Sequence, residues 1–281
     1  MISPDDFAFF QRFLKQRSGL VLGEDKGYLL EARLLPIANT FGVSNLGALA
    51  ERLRRPGATA LEEAIVDAMT TNESSFFRDK TPFEAFRALM LPTLLRKRSV
   101  DQPIRIWCAA ASSGQEPYSL AILLREEAAA IAGRKVEIVA TDLSQEMLKR
   151  ARAGLYSQFE VQRGMPVQLL LKYFKKQGDD WQIAPELRQM VHFRSLNLLS
   201  NFSALGAFDI VFCRNVLIYF DLATKADILS RIAKNLKPDG YLVLGGAETV
   251  VGVTTSFAPV AQQRSLYSLT QGQAPRAVAA A

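Results

Sequence analysis

The chain has 281 residues, of which 49% are hydrophobic and 22% charged, a balance that supports a sizeable core in one large or two smaller domains. No run of about 18 uninterrupted apolar residues argues for a membrane-spanning helix, and the acidic start MISPDDFAFF lacks the basic flank of a signal peptide. The formal net charge is +6, yet residues 1–100, 101–200 and 201–281 each carry an excess of two, whereas a nucleic-acid binder concentrates its charge in a stripe.

Residues 1–76 read as helices only. Ser3, Pro4 and two acids start a helix whose Phe7, Phe10 and Leu14 share a face. A second runs through Leu29, Leu30, Leu34 and Leu35, with Pro36 expected to kink or end it. Ser44 is placed to cap a third through Leu46, Leu49 and Leu53. Thr59 and Glu62 have capping-box spacing ahead of Leu61, Ala64, Ile65, Ala68 and Met69. The clusters Arg52, Arg54, Arg55 and Arg96, Lys97, Arg98 sit near predicted helix ends, where cations favour the negative end of the dipole; an acidic partner surface is the alternative.

TTNESSFFRD (70–79) breaks the helical period, and Thr81-Pro82-Phe83-Glu84 has capping-box spacing for a helix running to about Arg96. The loop is either a place for binding residues or a polar linker with Phe76 and Phe77 in the core. From Ile104 strands and helices alternate: IRIWC, a helix over Tyr118–Ile131, VEIVATD, and a helix capped by Ser144 and ended by Gly154. Residues 155–190 are mixed, with a Gly178-Asp179-Asp180 turn signal. VHFRSLNL (191–198) and FDIVFC (208–213) read as strands, followed by a helix capped by Asp221, a Lys237-Pro238-Asp239-Gly240 segment, the strand YLVLGG, and one or two strands within Ala258–Leu269. Repeated β–α units imply a parallel sheet with right-handed crossovers, an α/β fold. Cys108 and Cys213 both fall in predicted buried strands, as reduced thiols of a cytoplasmic protein do. With one histidine, His192, flanked by Val191 and Phe193 as a strand residue, no zinc site is expected.

Ligands of such sheets bind at the carboxyl ends of the strands. The first end carries Ala109–Gly114 with Glu116 beyond, the second Asp142, then come Asn197, Arg214 and Asn215, with Tyr219 one turn later. Asp142 lies 28 residues after Gly114 and suits an acid that hydrogen-bonds ribose hydroxyls. Gly114 is the only glycine of the first turn, so G-x-G-x-x-G is absent. A ribose acid without that fingerprint favours an adenosyl ligand lacking a pyrophosphate, which fits S-adenosylmethionine and fits NAD poorly. Each residue also has a structural reading: Asp142 a helix cap, Glu116 a first-turn acid, Asn215 and Tyr219 a polar turn and a core-edge tyrosine.

NESSFFRD (72–79), WCAAASSGQEPYSLA (107–121), ATDLS (140–144) and FDIVFCRNVLIYFD (208–221) together resemble the chemotaxis receptor methyltransferases, the CheR family. The resemblance covers nearly the whole chain. It implies a Rossmann-like class I S-adenosylmethionine-dependent methyltransferase sheet with a small antiparallel β-subdomain, preceded by an all-helical N-terminal domain. The expected boundaries are 1–76 for the helical, receptor-docking domain, 77–100 for a linker helix, 101–270 for the methyltransferase domain with its β-subdomain near 165–195, and 271–281 for a disordered tail.

It further implies methyl transfer from S-adenosyl-L-methionine to glutamate carboxylates on the cytoplasmic helical region of membrane chemoreceptors, with S-adenosyl-L-homocysteine as product. Carried across residue by residue, the family's cofactor contacts fall on Asn72, Ser74, Arg78, Glu116, Asp142, Asn197, Leu198, Arg214 and Asn215. Arg78 and Tyr219 match residues that line the reaction centre, and no metal is implied. Ser74 stands where Thr is frequent and Gln115 where Glu is frequent. Some members tether to a receptor pentapeptide through a glycine-containing loop of the β-subdomain; KKQGDDW (175–181) looks shorter, so pentapeptide independence is expected. No nucleic-acid partner, no membrane insertion and a monomer are expected. Two alternatives are a sensor that binds the cofactor without turnover, against which Arg78, Asn215 and Tyr219 stand, and a methyltransferase acting on RNA or a small molecule.

Overall fold

A computed structural model describes residues 2–270; the tail expected at 271–281 lies outside the described residues. Four helices come first: α1 (Pro4–Ser18), α2 (Gly27–Thr40), α3 (Leu46–Leu53) and α4 (Thr59–Met69). They close on Phe10, Leu14, Leu30, Leu34, Leu49 and Ile65, all without exposed surface. Ser3 caps α1 by accepting the Asp6 N–H, as expected. Pro36 does not end α2, which continues to Thr40 because Leu30, Leu34 and Ala38, on both sides of it, are pulled into the same core. The α3 cap is Asn45, whose side chain accepts from Ala48 N at 2.9 Å, and not Ser44. Thr59 is already the first helical residue of α4, so its hydroxyl does not cap.

A rod follows, made of α5 (Thr81–Ala85), a π-helical turn (Phe86–Met90) and α6 (Leu91–Lys97). Pro92 lacks the N–H an ordinary turn would use, and the widened turn just before it absorbs the mismatch. Thr81 again is inside the helix rather than its cap; Lys80, at φ 49°, takes the cap position.

The alternating part contains β1 (Ile104–Ala109), α7 (Gln115–Glu126), α8 (Ala128–Ile131), β2 (Val136–Asp142), α9 (Gln145–Ala153), β3 (Leu155–Ser157), α10 (Gln158–Gln162) and α11 (Val167–Tyr173). It continues with β4 (Phe174–Gln177), β5 (Asp180–Ile183), α12 (Pro185–Arg188), β6 (Val191–Ser195), β7 (Phe208–Cys213), α13 (Leu222–Asn235), β8 (Leu236–Leu244), β9 (Phe257–Pro259) and β10 (Leu266–Leu269). Seven strands form one sheet in the order β6-β2-β1-β7-β8-β10-β9. The first five are parallel, and β10 runs antiparallel to both neighbours. Strand order reverses at β1, where a crevice opens beyond the carboxyl ends. Alternation along β1 builds the two core layers: Ile104, Ile106 and Cys108 face the α7 side, Trp107 and Ala109 the α13 side.

Three expectations shift. The small antiparallel sheet, β3-β5-β4, spans residues 155–183 rather than lying near 165–195, and Val191–Ser195 is the edge strand of the large sheet. The strand expected over 191–198 ends at Ser195. Lys237-Pro238-Asp239-Gly240 belongs to β8, where an irregular register against Phe208 and Ile210 accommodates the proline.

At the opposite end of the sheet from the crevice, the fully buried Asp209 carboxylate accepts from Arg98 Nε at 2.9 Å, Lys237 Nζ at 2.8 Å and Arg105 N at 2.9 Å. The cluster Arg96, Lys97, Arg98 therefore spends Arg98, and Lys97 through Asp239, on joining α6 to the sheet. Asp209→Ala leaves Lys237 without its carboxylate and Arg98 with Asp239 alone; chemical denaturation is expected to show a loss of about 3 kcal/mol, with cofactor affinity of the folded fraction unchanged.

Candidate active site

The turn from β1 to α7 is built from small residues in uncommon backbone conformations: Ala110 (φ 58°), Ser112 (φ 50°) and Gly114 (φ 92°) are all left-handed. For the two non-glycines this costs on the order of 1–3 kcal/mol each. Gly114 has no alternative, because a Cβ there would lie 3.0 Å from Ala151 Cβ and 3.2 Å from both the Tyr118 ring and Tyr156 Oη. Tyr156, from the small sheet, supports the turn from behind by donating its hydroxyl to Ser113 O at 2.8 Å.

Beyond the turn lies a cavity of about 1020 Å³, its open mouth included, and all ten residues anticipated from the sequence line it. The Asp142 carboxylate closes its inner wall. Its Oδ2 accepts from Ser112 N at 2.7 Å and its Oδ1 from Ser144 N at 2.8 Å. Burial pushes this carboxyl above its usual range, and the Ser144 and Ser112 amides pull it part of the way back. Ser144, and not Asp142, caps α9; Asp142 instead secures the turn, and each of its oxygens keeps a lone pair free.

Arg214, at the end of β7, is 2% exposed and reaches three groups from two other segments. It donates to Glu116 Oε2 at 2.8 Å, Asp79 Oδ2 at 2.8 Å and Arg78 O at 2.8 Å. Burial raises the Glu116 pKa, and the Arg214 guanidinium opposes the rise. The loop that Arg214 grips contains Phe77, Asp79 and Lys80, all left-handed. Phe76 and Phe77 are buried, and Phe77 N donates to Ser119 Oγ, so the loop is anchored in the core and lines the cavity at once. Asn72 faces the cavity with its carbonyl held by Ser112 Oγ at 2.8 Å; Ser74 stands beside it. Arg78 donates from one terminal nitrogen to Glu73 O at 2.9 Å. The Tyr219 hydroxyl has no partner among the described residues.

Asn197 differs from expectation in emphasis. Its amide nitrogen donates to Arg17 O at 2.6 Å and its Oδ1 accepts from Leu199 N at 2.9 Å, so both ends of the side chain already hold structure. Leu198 presents an apolar surface next to it. The sequence also gave no sign that Ser18 and Leu20, from the helical domain, line the cavity. Glu248 was missed as well: this buried acid accepts the Asn215 N–H at 2.8 Å. It follows β8, so the strand-end rule carried one strand further finds it.

The donor set suits S-adenosylmethionine. Asp142 matches ribose hydroxyls; Leu143, Leu196, Leu198 and Val216 offer apolar walls for a purine; Arg214 Nε, buried and without an acceptor, can meet a carboxylate. A sheet of this order, with an acid ending its second strand and no pyrophosphate loop, defines an S-adenosylmethionine-dependent methyltransferase of class I fold.

Residues 72–266 match the family described as "CheR methyltransferase, SAM binding domain", and residues 5–70 match "CheR methyltransferase, all-alpha domain". The chain is 46% identical over 249 residues to "Chemotaxis protein methyltransferase 1" of Pseudomonas aeruginosa, covering 87% of this chain and 90% of that one. It is 43% identical over 259 residues to "Chemotaxis protein methyltransferase Cher2" of Pseudomonas putida, covering 91% and 94%. Identity to the "Chemotaxis protein methyltransferase" of Salmonella typhimurium is 34% over 277 residues, covering 97% and 93%. The chain belongs to the CheR family of chemotaxis protein methyltransferases.

Asp142→Ala removes the diol acceptor at the inner wall. Calorimetric titration with S-adenosylhomocysteine is expected to show affinity weakened by about 10- to 100-fold, the worth of one or two hydrogen bonds to a charged group. Unchanged affinity would remove Asp142 from the binding site.

Proposed function

We propose that the enzyme methylates glutamate side-chain carboxylates of chemoreceptors, producing glutamyl methyl esters. The observation that carries this reading is the meeting, in one cavity, of the Asp142 wall with Arg78 and the unpartnered Tyr219 hydroxyl. The relatives' designation as chemotaxis protein methyltransferases supports a chemotaxis substrate.

S-adenosylmethionine supplies a methyl group on a cationic sulfur. The acceptor carboxylate is already ionised at neutral pH, its pKa being about 4.3, so no residue has to remove a proton. What the chain contributes is position and exclusion of water. Tyr219 offers a single O–H donor, which orients an incoming carboxylate without blunting its nucleophilic oxygen. Arg78, with guanidinium donors left over from its bond to Glu73 O, attracts the acid and fixes its plane. Asn72, Ser74, Glu116, Asp142, Asn197, Leu198, Arg214 and Asn215 are assigned to the cofactor side. Of these, Arg214 acts chiefly by holding Glu116 and the 78–79 loop, and Asn197 by seating α1.

We place the enzyme in the cytoplasm as a monomer, with the helical domain as the receptor-docking unit. No described helix is long and apolar enough to cross a membrane. Among the three arginines of the α3 end, Arg54 is paired with Asp6 and Glu51 and stacks on Phe9, while Arg52 lies over the Phe41 ring. Arg55 is the one of the three that none of these contacts engages. The hairpin between β4 and β5 turns on Gly178-Asp179, too tight to extend a tethering loop, which supports pentapeptide independence.

Tyr219→Phe is expected to lower turnover about tenfold while leaving S-adenosylhomocysteine affinity within about twofold, because the lost hydrogen bond is made to the acceptor. Radiolabelled methyl should appear on receptor protein and be released by base, the mark of a carboxyl ester; stable label, or label on RNA or small molecules instead, would overturn the assignment. Removing the last residues of the receptor is expected to change its methylation rate by less than about twofold, since no tethering gain in effective concentration is lost.

A further inference from the structure

The strand-end segment 214–219 carries Asn215 and Tyr219 into the cavity, yet its backbone is not part of the sheet ladder. Its N–H groups converge instead on one acid. Glu248 Oε1 accepts from Leu217 N at 2.7 Å, Val216 N at 2.9 Å and Ile218 N at 3.3 Å. Its Oε2 accepts from Asn215 N at 2.8 Å and Gly245 N at 2.7 Å. The residue is 8% exposed and forms no ion pair among the described residues. Five amide dipoles therefore take the place of a counter-ion, and a buried carboxylate satisfied this way holds its partners in a narrow range of positions.

Two further observations sharpen the point. Asn215 sits at φ 58°, in the left-handed region that asparagine enters more readily than most other non-glycine residues, so the chain turns sharply at this point. Gly245 has to be glycine: a Cβ there would stand 2.7 Å from Asn215 Nδ2, 2.8 Å from Glu248 Oε2 and 2.9 Å from Asn215 N. The turn after β8 is thus shaped to bring a carboxylate against the segment after β7.

We infer that Glu248 is a positioning residue for methyl transfer: its carboxylate sets the backbone that aims Asn215 at the cofactor and Tyr219 at the acceptor. The inference rests on the functional reading above for Tyr219, and on the cofactor alone for Asn215. Glu248 itself touches neither reactant; it works through the loop.

Glu248→Gln is the test, because it keeps size and one acceptor while turning an N–H donor toward amides that are themselves donors. The folded enzyme is expected to bind S-adenosylhomocysteine about tenfold more weakly and to show a kcat about tenfold lower, as for displacement of positioned groups by a fraction of an ångström. A merely structural residue would add its effect to any background. Here the kcat loss from Glu248→Gln is expected to shrink to less than about threefold in Tyr219→Phe enzyme, since both changes remove the same aimed hydroxyl. Gly245→Ala, which crowds the same contact from the other side, should reproduce the weakened binding. Unchanged S-adenosylhomocysteine affinity together with full additivity in the double variant would overturn the inference. If Glu248→Gln does not fold, Gly245→Ala carries the binding test. Absence of receptor methylation in the wild-type enzyme would count against the substrate assignment and leave the affinity comparison intact.

Discussion

One buried guanidinium ties the molecule together where it works. Arg214 stands at the end of β7 and holds Glu116 at the start of α7 and the carbonyl and side chain of the 78–79 loop. Taking Arg214 and Glu116 out of water is costly, and such pairs add little net stability compared with apolar packing. Their value is geometric. A planar fork with three acceptors in fixed directions sets how the start of α7 and the 78–79 loop sit against the end of β7, and Arg78, Glu116 and Arg214 line the cavity from those positions. The left-handed residues around it are held in place by named bonds: Phe77 N by Ser119, the Asp79 carboxylate by Arg214, Lys80 N by Phe77 O and Ser112 N by Asp142.

The helical domain completes the same cavity. Asn197 holds Arg17 O, Val21 N donates to Tyr219 O at 2.9 Å, Lys15 pairs with Asp221 at 2.7 Å, and Gly19 packs against the Phe220 ring. The Asp221 carboxyl is held below its usual range chiefly by Lys15, with Thr224 adding to the effect. Ser18 and Leu20 line the cavity as a result. A domain proposed to recognise the receptor is therefore in direct contact with the segment proposed to orient the acceptor. That contact puts docking and chemistry on one rigid path, with Tyr219 and its own carbonyl as the shared element.

The large sheet accounts for why these groups meet. Parallel strands send every carboxyl end to one side, so residues far apart in the chain arrive together: Glu116 and Arg214 are separated by 98 positions, Asp79 and Arg214 by 135. Charge at the other end of the sheet serves cohesion instead, as the Asp209 cluster with Arg98 and Lys237 does. Cys108 and Cys213, in the middle, are buried thiols whose pKa burial raises well above the ordinary value, as expected of core residues.

What depends on neighbours in the chain could be read directly. The bounds of β2 and β7, the caps Ser3, Ser144 and Asp221, the left-handed Gly154 at the end of α9, and the strand-end acids all follow from side-chain period and local hydrogen bonding. Where local energies were nearly balanced, longer-range packing chose. It selected Asn45 over Ser44, drew Thr59 and Thr81 inside their helices, and kept α2 running through Pro36. Residues 155–190, with no dominant period, became legible only as a sheet that braces the β1–α7 turn through Tyr156. The amino-acid sequence by itself determined the fold class, most of the elements outside residues 155–190, and which strand-end residues would line one cavity. Only the tertiary structure decided that Glu248 carries the Asn215 loop, that Arg214 spends its donors on two distant segments, and that Asn197 faces the helical domain. Those choices rest on contacts between distant positions, whose energies exist only once the chain has folded.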